Sequence, residues 1–408
     1  MTIYKLGEIA TVEISGVDKK IKDGEIPVKL CNFVDVYYNW AITSDLEQKF
    51  MEATARTNEI ERFKLKRGQV ALTKDSETRF DIGIATYIAD DFDNVILGYH
   101  NALITPNPEK LSGKYLNALL HTDYARTYFA NNASGSGQRY ALSIDALNNF
   151  PVPLLPLAEQ ERIGDIFSSI DQKIALNRAI NDNLEAMAKQ LYDYWFVQFD
   201  FPNKEGKPYK SSGGKMVWND KLKREIPENW LHKDIKSFMR IFTGKKDVSK
   251  AIPGPYKFFS CAPEPITSDE YIYDGAAVLV SGNGSYTGRV NFYKGKMDLY
   301  QRTYACVVKE DESTIPFFYY TLRYLFQPIF SGGKHGSSIP YIVLGDLADF
   351  MFAYNVDVVK LFVENISAIF NKRIVLQQEI ENLTKQRDEL LPLLMNGQVS
   401  VNYHLSDN

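Results

Sequence analysis

The sequence repeats itself once, at a distance of about 200 residues, and this duplication limits its possible folds more than any other feature. Four short segments of the first half recur in the same order in the second half. The pairs are 66–72 with 273–279, 98–104 with 299–305, 134–137 with 335–338, and 173–180 with 373–380. Because four chance matches in one order are improbable, the pattern indicates a duplicated architecture. We predict a globular unit, a long helix, a second globular unit and a second long helix.

Both globular units are predicted to mix strands with helices, which gives the fold class α/β (α+β). In the first unit, 70–72 and 82–88 have the composition of strands on either side of a polar loop. In the second unit, 277–280 and 289–293 have the same character. Helices with an aromatic-rich face are predicted at 114–130 and 316–330.

The two long helices are predicted from apolar or small residues that recur at alternating steps of four and three, the pattern of a coiled-coil seam. One seam runs from Ile163 to Leu191 and the other from Phe362 to Leu390. Asn177 and Asn181 interrupt the first seam, where they are expected to lower stability but fix the register. Helices of roughly 50–60 Å are expected to pair antiparallel and separate the globular units. The alternative is two unrelated amphipathic helices, each packed on its own domain.

Composition points to a soluble protein of several domains in a reducing compartment. The 408 residues are 45% hydrophobic and 24% charged, and no run of 18 apolar residues or export signal is present. The three cysteines, Cys31, Cys261 and Cys306, are far apart and odd in number. They fit free thiols in the cytoplasm better than disulfides or a zinc site. We predict a cytoplasmic protein without a membrane partner.

The charge is slightly acidic overall but locally basic. A net charge of −4 argues against a protein that simply coats DNA. Lysines and arginines nevertheless cluster at 204–224 and at 233–250, a segment that includes Lys245 and Lys246. Either run could be a solvated loop or part of a surface for nucleic acid.

Motifs of catalysis are missing. The P-loop candidate at Gly244 has Met239 where the first glycine belongs, and the glycine-rich segment 282–288 runs into a predicted strand rather than a helix. Segment 253–256 does not supply the Asn/Asp-Pro-Pro-Tyr/Phe motif of an amino-methyltransferase. The five histidines have no metal-ligand spacing. We predict no catalytic residue, no metal site and no cofactor bound to this chain.

Three stretches carry a family resemblance. They are 156–200, with Pro156-Leu157-Ala158-Glu159-Gln160-Glu161-Arg162 at its start and Trp195-Phe196-Val197-Gln198-Phe199-Asp200 at its end; 206–230; and 390–397. They resemble the central helix, the beginning of the second target-recognition domain and the C-terminal helix end of type I restriction-modification DNA-specificity subunits. In layout the resemblance covers the whole chain. One departure is 350–355, which lacks the Pro-rich, Glu-Gln sequence that precedes the first helix and leaves the start of the second helix open.

The resemblance implies two target-recognition domains separated by two long antiparallel coiled-coil helices. The corresponding boundaries are 1–155, 156–200, 201–355 with a linker at 201–230, 356–397, and a tail at 398–408. It implies a non-catalytic subunit that binds an asymmetric bipartite site on double-stranded DNA, two methylation subunits, and restriction or motor subunits. S-adenosylmethionine, ATP and Mg²⁺ are expected only in those partners.

Contacts to bases and phosphates need polar and basic side chains on exposed loops. In the first unit the predicted DNA contacts are Lys74, Thr78, Arg79, His100, Asn101, Ser136, Gln138, Arg139 and Tyr140. In the second unit they are Lys245, Lys246, Asn283, Ser285, Tyr286, Arg289, Gln301, Arg302, Lys334, His335 and Ser337. Arg139 and Arg302 are the leading candidates for guanine or phosphate contact.

The end of the first helix is rich in aromatic residues. Tyr192, Trp195 and Phe196 are predicted to bind a methylation subunit; the alternative is packing onto the neighbouring globular unit. Two other functions stay open from the residues alone. One is a coiled-coil scaffold with two protein-binding domains and no DNA role, which the acidic pI of 5.9 favours. The other is a methyltransferase that acts alone, which the missing motifs disfavour.

Overall fold

The computed structural model describes residues 2–135, 138–336 and 338–395. The chain forms two compact units. The first unit consists of Met1–Arg178 with the chain from Gln377 onward, and the second unit is Ala179–Leu376. Each unit thus contains one globular part and a segment of each long helix, whereas the predicted boundaries follow the ends of the helices. The predicted tail at 398–408 lies outside the described residues.

Among its described residues, the first unit contains thirteen strands, seven α-helices of which the last continues into the second unit, and a segment of the second long helix. The strands are β1 (Thr2–Lys5), β2 (Ala10–Ile14), β3 (Ile26–Cys31), β4 (Ala41–Ile42), β5 (Met51–Ala55), β6 (Val70–Thr73), β7 (Asp75–Ser76), β8 (Ala85–Ile88), β9 (Val95–Leu97), β10 (Asn101–Pro106), β11 (Ser134–Gly135), β12 (Tyr140–Ala141) and β13 (Pro151–Leu154). The helices are α1 (Leu6–Ile9), α2 (Phe33–Tyr38), α3 (Thr57–Phe63), α4 (Gly113–Leu120), α5 (Asp123–Asn132), α6 (Ile144–Asn148) and α7 (Leu157–Tyr192).

The described part of the second unit repeats this plan with ten strands and five further α-helices. The strands are β14 (Met216–Asn219), β15 (Arg224–Pro227), β16 (Leu231–Asp234), β17 (Met239–Thr243), β18 (Tyr256–Phe259), β19 (Ile266–Ser268), β20 (Tyr273–Ser281), β21 (Val290–Leu299), β22 (Thr303–Val308) and β23 (Met351–Tyr354). The helices are α8 (Ile235–Phe238), α9 (Ile315–Thr321), α10 (Gln327–Phe330), α11 (Leu344–Ala348) and α12 (Val356–Met395).

The sheet order confirms the repeat. The main sheet of the first unit has the order β2-β10-β6-β8-β4, and that of the second has β17-β22-β20-β21-β18-β19. Four consecutive strands therefore correspond one to one. The pair β1-β13 likewise corresponds to β16-β23, and both pairs are antiparallel. The mixed α/β fold class predicted from the sequence is confirmed.

Three of the predicted elements differ from the prediction, for local reasons. Strand β8 starts at Ala85 rather than at 82, because Gly83 has a φ of 82° and belongs to a loop. The helix predicted at 114–130 is split into α4 and α5 at Thr122, whose hydroxyl accepts the N–H of Ala125 as an N-cap. The helix predicted at 316–330 contains a π-helical turn at Leu322–Phe326.

The predicted seams are the buried faces of the two long helices. In the first unit, Ile163 and Phe167 of α7 share a hydrophobic core with Leu391 of α12, and Lys173 forms an ion pair with Glu379. Within this unit the two segments therefore run antiparallel. Helix α12 begins at Val356, which settles the start that the sequence left open. Asn355 caps it by accepting the N–H groups of residues 357 and 358.

The aromatic end of α7 belongs to the core of the second unit. Tyr192, Trp195 and Phe196 are all at least 95% buried, and the Phe196 ring packs 5.0 Å from Phe317 and 5.1 Å from Phe362. The prediction that these three rings bind a methylation subunit needs correction, because their side chains are covered within their own unit. The alternative, packing onto the neighbouring globular part, describes their contacts.

Candidate nucleic-acid interface

A small network of backbone hydrogen bonds builds the candidate site at one edge of the main sheet. In the first unit, the N–H of Lys74, which follows β6, donates to the carbonyl of His100, which precedes β10 (2.9 Å). The carbonyl of Lys74 in turn accepts the N–H of Leu142 (2.8 Å). Two loops and the segment after β12 are thereby held side by side.

The second unit has the same network. Gly282, which follows β20, donates its N–H to the carbonyl of Arg302 (2.8 Å) and accepts the N–H of Ile342 (2.9 Å). Gly282 thus occupies the position of Lys74, and Arg302 occupies the position of His100. One backbone frame carries different side chains in the two units.

This correspondence corrects the sequence alignment by one residue. The repeat as predicted paired His100 with Gln301 and Asn101 with Arg302. In the structure, Asn101 is the first residue of β10 as Thr303 is the first residue of β22. Matching backbone positions therefore pair His100 with Arg302, and Gln301 has no counterpart among the predicted contacts of the first unit.

In each unit a glycine ends the loop at this edge of the main sheet. Gly83 closes the long loop (residues 74–82), and Gly288 closes the short loop (residues 282–287); both have a φ of 82°. This left-handed conformation favours glycine. A Cβ added to Gly288 would also lie 2.6 Å from the carbonyl oxygen of Phe330. The frame is therefore conserved in shape between the units while the two loops differ in length.

Asp75 organises the basic groups of the first unit. Its carboxylate lies 2.8 Å from Lys74 Nζ, 2.5 Å from His100 Nδ1 and 3.8 Å from the Arg139 guanidinium. Burial alone would raise the pKa of Asp75, but the hydrogen bonds from Lys74 and His100 outweigh it and hold this pKa below its usual value. The carboxylate is thus charged at neutral pH, and it positions three donors at the rim.

Arg139 is the most outward of these donors. Its Nη2 lies 2.8 Å from His100 Nδ1, yet 59% of its side chain is exposed. A guanidinium held beside the Asp75 carboxylate (3.8 Å) by a terminal nitrogen, with further N–H groups exposed, suits contact with guanine or phosphate.

The remaining predicted contacts of the first unit fall into three groups. Thr78, Gln138, His100 and Arg139 line one open cavity of about 560 Å³. Arg79 is exposed beside it, and its guanidinium lies 5.2 Å from the ring centroid of Tyr140. Ser136 lies outside the described residues.

The structure corrects the prediction that Asn101 contacts DNA. Its side chain is fully buried, and its amide donates to the carbonyls of Gly98 (3.1 Å) and Tyr99 (3.3 Å). Because it stabilises the turn before β10 and has no exposed surface, it cannot contact DNA in this conformation.

In the second unit, two predicted loops meet at Tyr341. Asn283 and His335 each form a backbone bridge with this residue. Asp346 lies 3.0 Å from His335 Nε2 and 3.9 Å from Lys334 Nζ. An acidic residue again anchors basic side chains at the rim of the site.

Arg289 and Lys246 are engaged within the protein. Arg289 donates to the carbonyls of Ala262 (3.1 Å) and Pro263 (2.7 Å), and burial lowers the pKa of its guanidinium. Lys246 forms an ion pair with Glu270, which raises the pKa of its ammonium group, and its Nζ lies 3.3 Å from Asp298. Both side chains thus have partners within the protein and are only partly exposed, and their DNA contacts stay a prediction.

Five other predicted residues of the second unit lie on its surface. Lys245, Ser285, Tyr286, Gln301 and Arg302 are exposed. Ser337 lies outside the described residues. Arg302, Ser285 and Lys245 therefore keep the surface that a DNA contact needs, and the DNA contacts of this unit stay a prediction.

Sequence reasoning missed the two anchoring carboxylates, Asp75 and Asp346. Asp75 directly follows the predicted contact Lys74, so its place in the loop was visible. Asp346 carries only the signal of an acidic residue in the first turn of α11, where it accepts the N–H of Val343 (2.9 Å). Tyr37 was also missed; its hydroxyl donates to the Asp81 carboxylate (2.8 Å) in the same cavity wall.

The described residues offer no cluster of three or more histidine, cysteine or acidic side chains that could hold a metal ion. Among the described helices, none is long and apolar enough to cross a membrane.

Comparisons with known proteins agree with this architecture. Residues 1–186 match the family described as "Type I restriction modification DNA specificity domain". The chain is 30% identical over 190 residues to the type I restriction enzyme EcoDI specificity subunit of Escherichia coli, a match that covers 45% of this chain and 42% of that protein. It is 24% identical over 433 residues to the MjaIX specificity subunit of Methanocaldococcus jannaschii, covering 98% and 93%.

The fold is also that of a solved structure. A crystal structure of the type I restriction-modification S subunit from M. genitalium superposes with a TM-score of 0.59 at 15% identity, covering 96% of this chain and 95% of that one. The family match thus covers residues 1–186, and over almost its whole length the chain is similar to a type I restriction enzyme specificity subunit.

Proposed function

We propose that this chain recognises an asymmetric, bipartite sequence on double-stranded DNA, with one part addressed by each unit, and that it has no catalytic activity of its own. The observation that carries this proposal is the shared backbone frame. Lys74 and His100 in the first unit, and Gly282 and Arg302 in the second, occupy the same two positions. Equal frames with unequal side chains are what two recognition domains for different short sequences require.

The chemistry of both rims fits base and phosphate contact. Arg139 in the first unit and Arg302 in the second present guanidinium groups, which pair with guanine O6 and N7 or with phosphate oxygens. His100 and His335 are each fixed by a carboxylate. Since phosphate contacts set position and base contacts set sequence, the exposed arginines are the proposed sequence readers.

The proposed division of labour assigns chemistry to partners. Two methylation subunits would bind S-adenosylmethionine and modify adenine, and restriction or motor subunits would use ATP and Mg²⁺. This chain would bind none of these cofactors and would act in the cytoplasm.

A groove on the helices is the proposed contact for a methylation subunit, in place of the buried rings. It has a volume of about 750 Å³ and lies within the second unit. Its walls include Met187, Tyr194 and Ile369, and the first two are exposed large apolar side chains. Exposed apolar surface on a helix is suited to a partner helix or loop.

Met187→Asp is expected to weaken binding of the methylation subunit by about tenfold or more, because a charge would enter the apolar contact. Co-purification and titration of the two proteins measure this effect. Met187→Leu keeps the apolar surface and is the matched control. Equal affinity of the aspartate and leucine variants would contradict the proposed contact.

The experiment that tests DNA recognition is a salt titration of the assembled complex on duplex DNA. The logarithm of the affinity is expected to fall linearly with the logarithm of salt concentration, since phosphate contacts release counterions. A sequence-specific component should remain at high salt. A protein-binding scaffold without a DNA role would show neither, and that result would reject the proposal.

A further inference from the structure

The long loop carries one large apolar side chain that is almost fully exposed. The side chain of Phe80 is 83% exposed, more than any other large apolar side chain among the described residues. It lies between Arg79 and Asp81 in the loop that joins β7 to β8. A lone exposed apolar residue is ordinary, so its surroundings decide whether it has a role.

The loop around Phe80 is held on both sides. On one side the Arg79 guanidinium lies over the ring of Tyr140 (5.2 Å), a residue of β12. On the other side the Tyr37 hydroxyl donates to the carboxylate of Asp81 (2.8 Å). Phe80 is therefore presented from a fastened loop, and its exposure does not follow from a free chain end.

Phe80 also lies at the rim of the candidate interface. Thr78 and Asp81, two residues to one side and one to the other, line the same cavity as His100 and Arg139. The loop contains the acidic Glu77 as well, whose carboxylate could accept from a cytosine amino group. An apolar ring beside basic and polar base-contacting groups is the arrangement with which proteins enter a stack of base pairs.

We propose that Phe80 is a wedge that inserts between base pairs of the half-site addressed by the first unit. This inference rests on the proposed function and adds a second recognition mode to it. Separating two stacked base pairs costs free energy, and stacking an aromatic ring on a base offsets part of this cost. The net free energy depends on the base step that is opened. Flexible pyrimidine–purine steps would therefore be favoured at this position.

Among the described residues of the second unit, no aromatic side chain of the corresponding loop is as exposed as Phe80. Its short loop, 282–287, carries Tyr286 near its tip, but this ring is only 46% exposed. The Arg289 guanidinium lies 5.5 Å from the Tyr286 ring and is itself fixed by the carbonyls of Ala262 and Pro263. Tyr286 is thus engaged within the protein, and unstacking is expected in one half-site only.

Permanganate oxidation of thymines tests the wedge, because unstacked thymines react much faster than stacked ones. The full chain, assembled with its methylation subunits, would be bound to duplex DNA containing the two-part target. We expect reactive thymines in one half-site, lost in Phe80→Ala and retained in Phe80→Trp. Trp218→Ala, which removes an exposed aromatic ring of β14 that is not among the predicted DNA contacts, is the matched control and should leave the pattern unchanged. A thymine can also react because the adenine opposite it is flipped out of the duplex. That reactivity would be the same in the parent protein and in the three variants, so it does not depend on Phe80.

Affinity provides a second readout. Phe80→Ala is expected to weaken DNA binding about tenfold or more, as for loss of one aromatic stack on a base. Because Phe80 carries no charge, the slope of affinity against salt should stay the same. Arg139→Ala should instead make the slope shallower if Arg139 contacts a phosphate.

The outcomes separate this inference from the proposed function. If the complex binds its target and Phe80→Ala keeps both the thymine reactivity and the affinity, the wedge is wrong while DNA recognition stands. If Phe80→Ala releases a methylation subunit, Phe80 belongs to a protein contact and the wedge is equally wrong. If the parent complex shows no specific DNA binding, both proposals fail.

Discussion

Replacing Glu185 with alanine is expected to destabilise the second unit by roughly 3 kcal/mol, since it removes one partner of a largely buried ion pair. Glu185 Oε2 lies 2.5 Å from Arg373 Nη1, and Tyr324 donates its hydroxyl to Glu185 Oε1 (2.6 Å). Both charged side chains are about four-fifths buried. The alanine variant would leave the guanidinium of Arg373 without its carboxylate inside the packed helices.

Denaturant unfolding of the full chain measures this effect. The double variant Glu185→Leu/Arg373→Leu is expected to recover most of the lost stability, because apolar pairs replace buried ion pairs at little cost. Glu389→Ala removes the exposed pair with Lys385 and is the matched control, with an expected change below about 1 kcal/mol. A double variant less stable than Glu185→Ala would show that the polar contact itself holds the helices together.

The second large effect is expected at Arg302. Arg302→Ala should weaken recognition of the half-site addressed by the second unit by about 10- to 100-fold, and should relax the base preference there. The other half-site should keep its preference, because the residues of the first unit are unchanged. Arg139→Ala should have the converse effect.

Gln301→Ala is the matched control for Arg302→Ala. The sequence alignment pairs Gln301 with His100, whereas the backbone hydrogen bonds pair Arg302 with His100. Competition binding with base substitutions at each position of the target distinguishes these two pairings. Unchanged binding and methylation of that half-site in Arg302→Ala would remove Arg302 from the recognition residues, and a larger effect of Gln301→Ala would restore the original pairing.

Regular patterns in the sequence were sufficient to predict the repeat, the mixed strands and helices, and the two seams. Burial confirms the seams: Ile163, Phe167 and Ile174 are covered as the spacing predicts. These features depend on local periodicity, which a single sequence displays.

The individual site residues depend on contacts between distant segments, and there the sequence was a weaker guide. Asn101 and Arg289 have the side-chain chemistry of DNA contacts, but they bind backbone carbonyls within the protein. The apolar side chain of Trp195 at a helix end is explained by a distant residue, Phe362, whose ring centroid lies 5.8 Å from that of Trp195. No spacing rule identifies Asp346 as the partner of His335, because the loop between them sets that distance.

We propose that two unequal recognition units address one bipartite DNA sequence. The most direct measurement is to co-express the chain with its methylation subunit and map methylated adenines across the host genome, with and without this gene. We expect a gene-dependent motif in two different parts, separated by a fixed run of unspecified bases. Methylation confined to one uninterrupted motif, or no gene-dependent methylation from a complex shown to assemble, would contradict it.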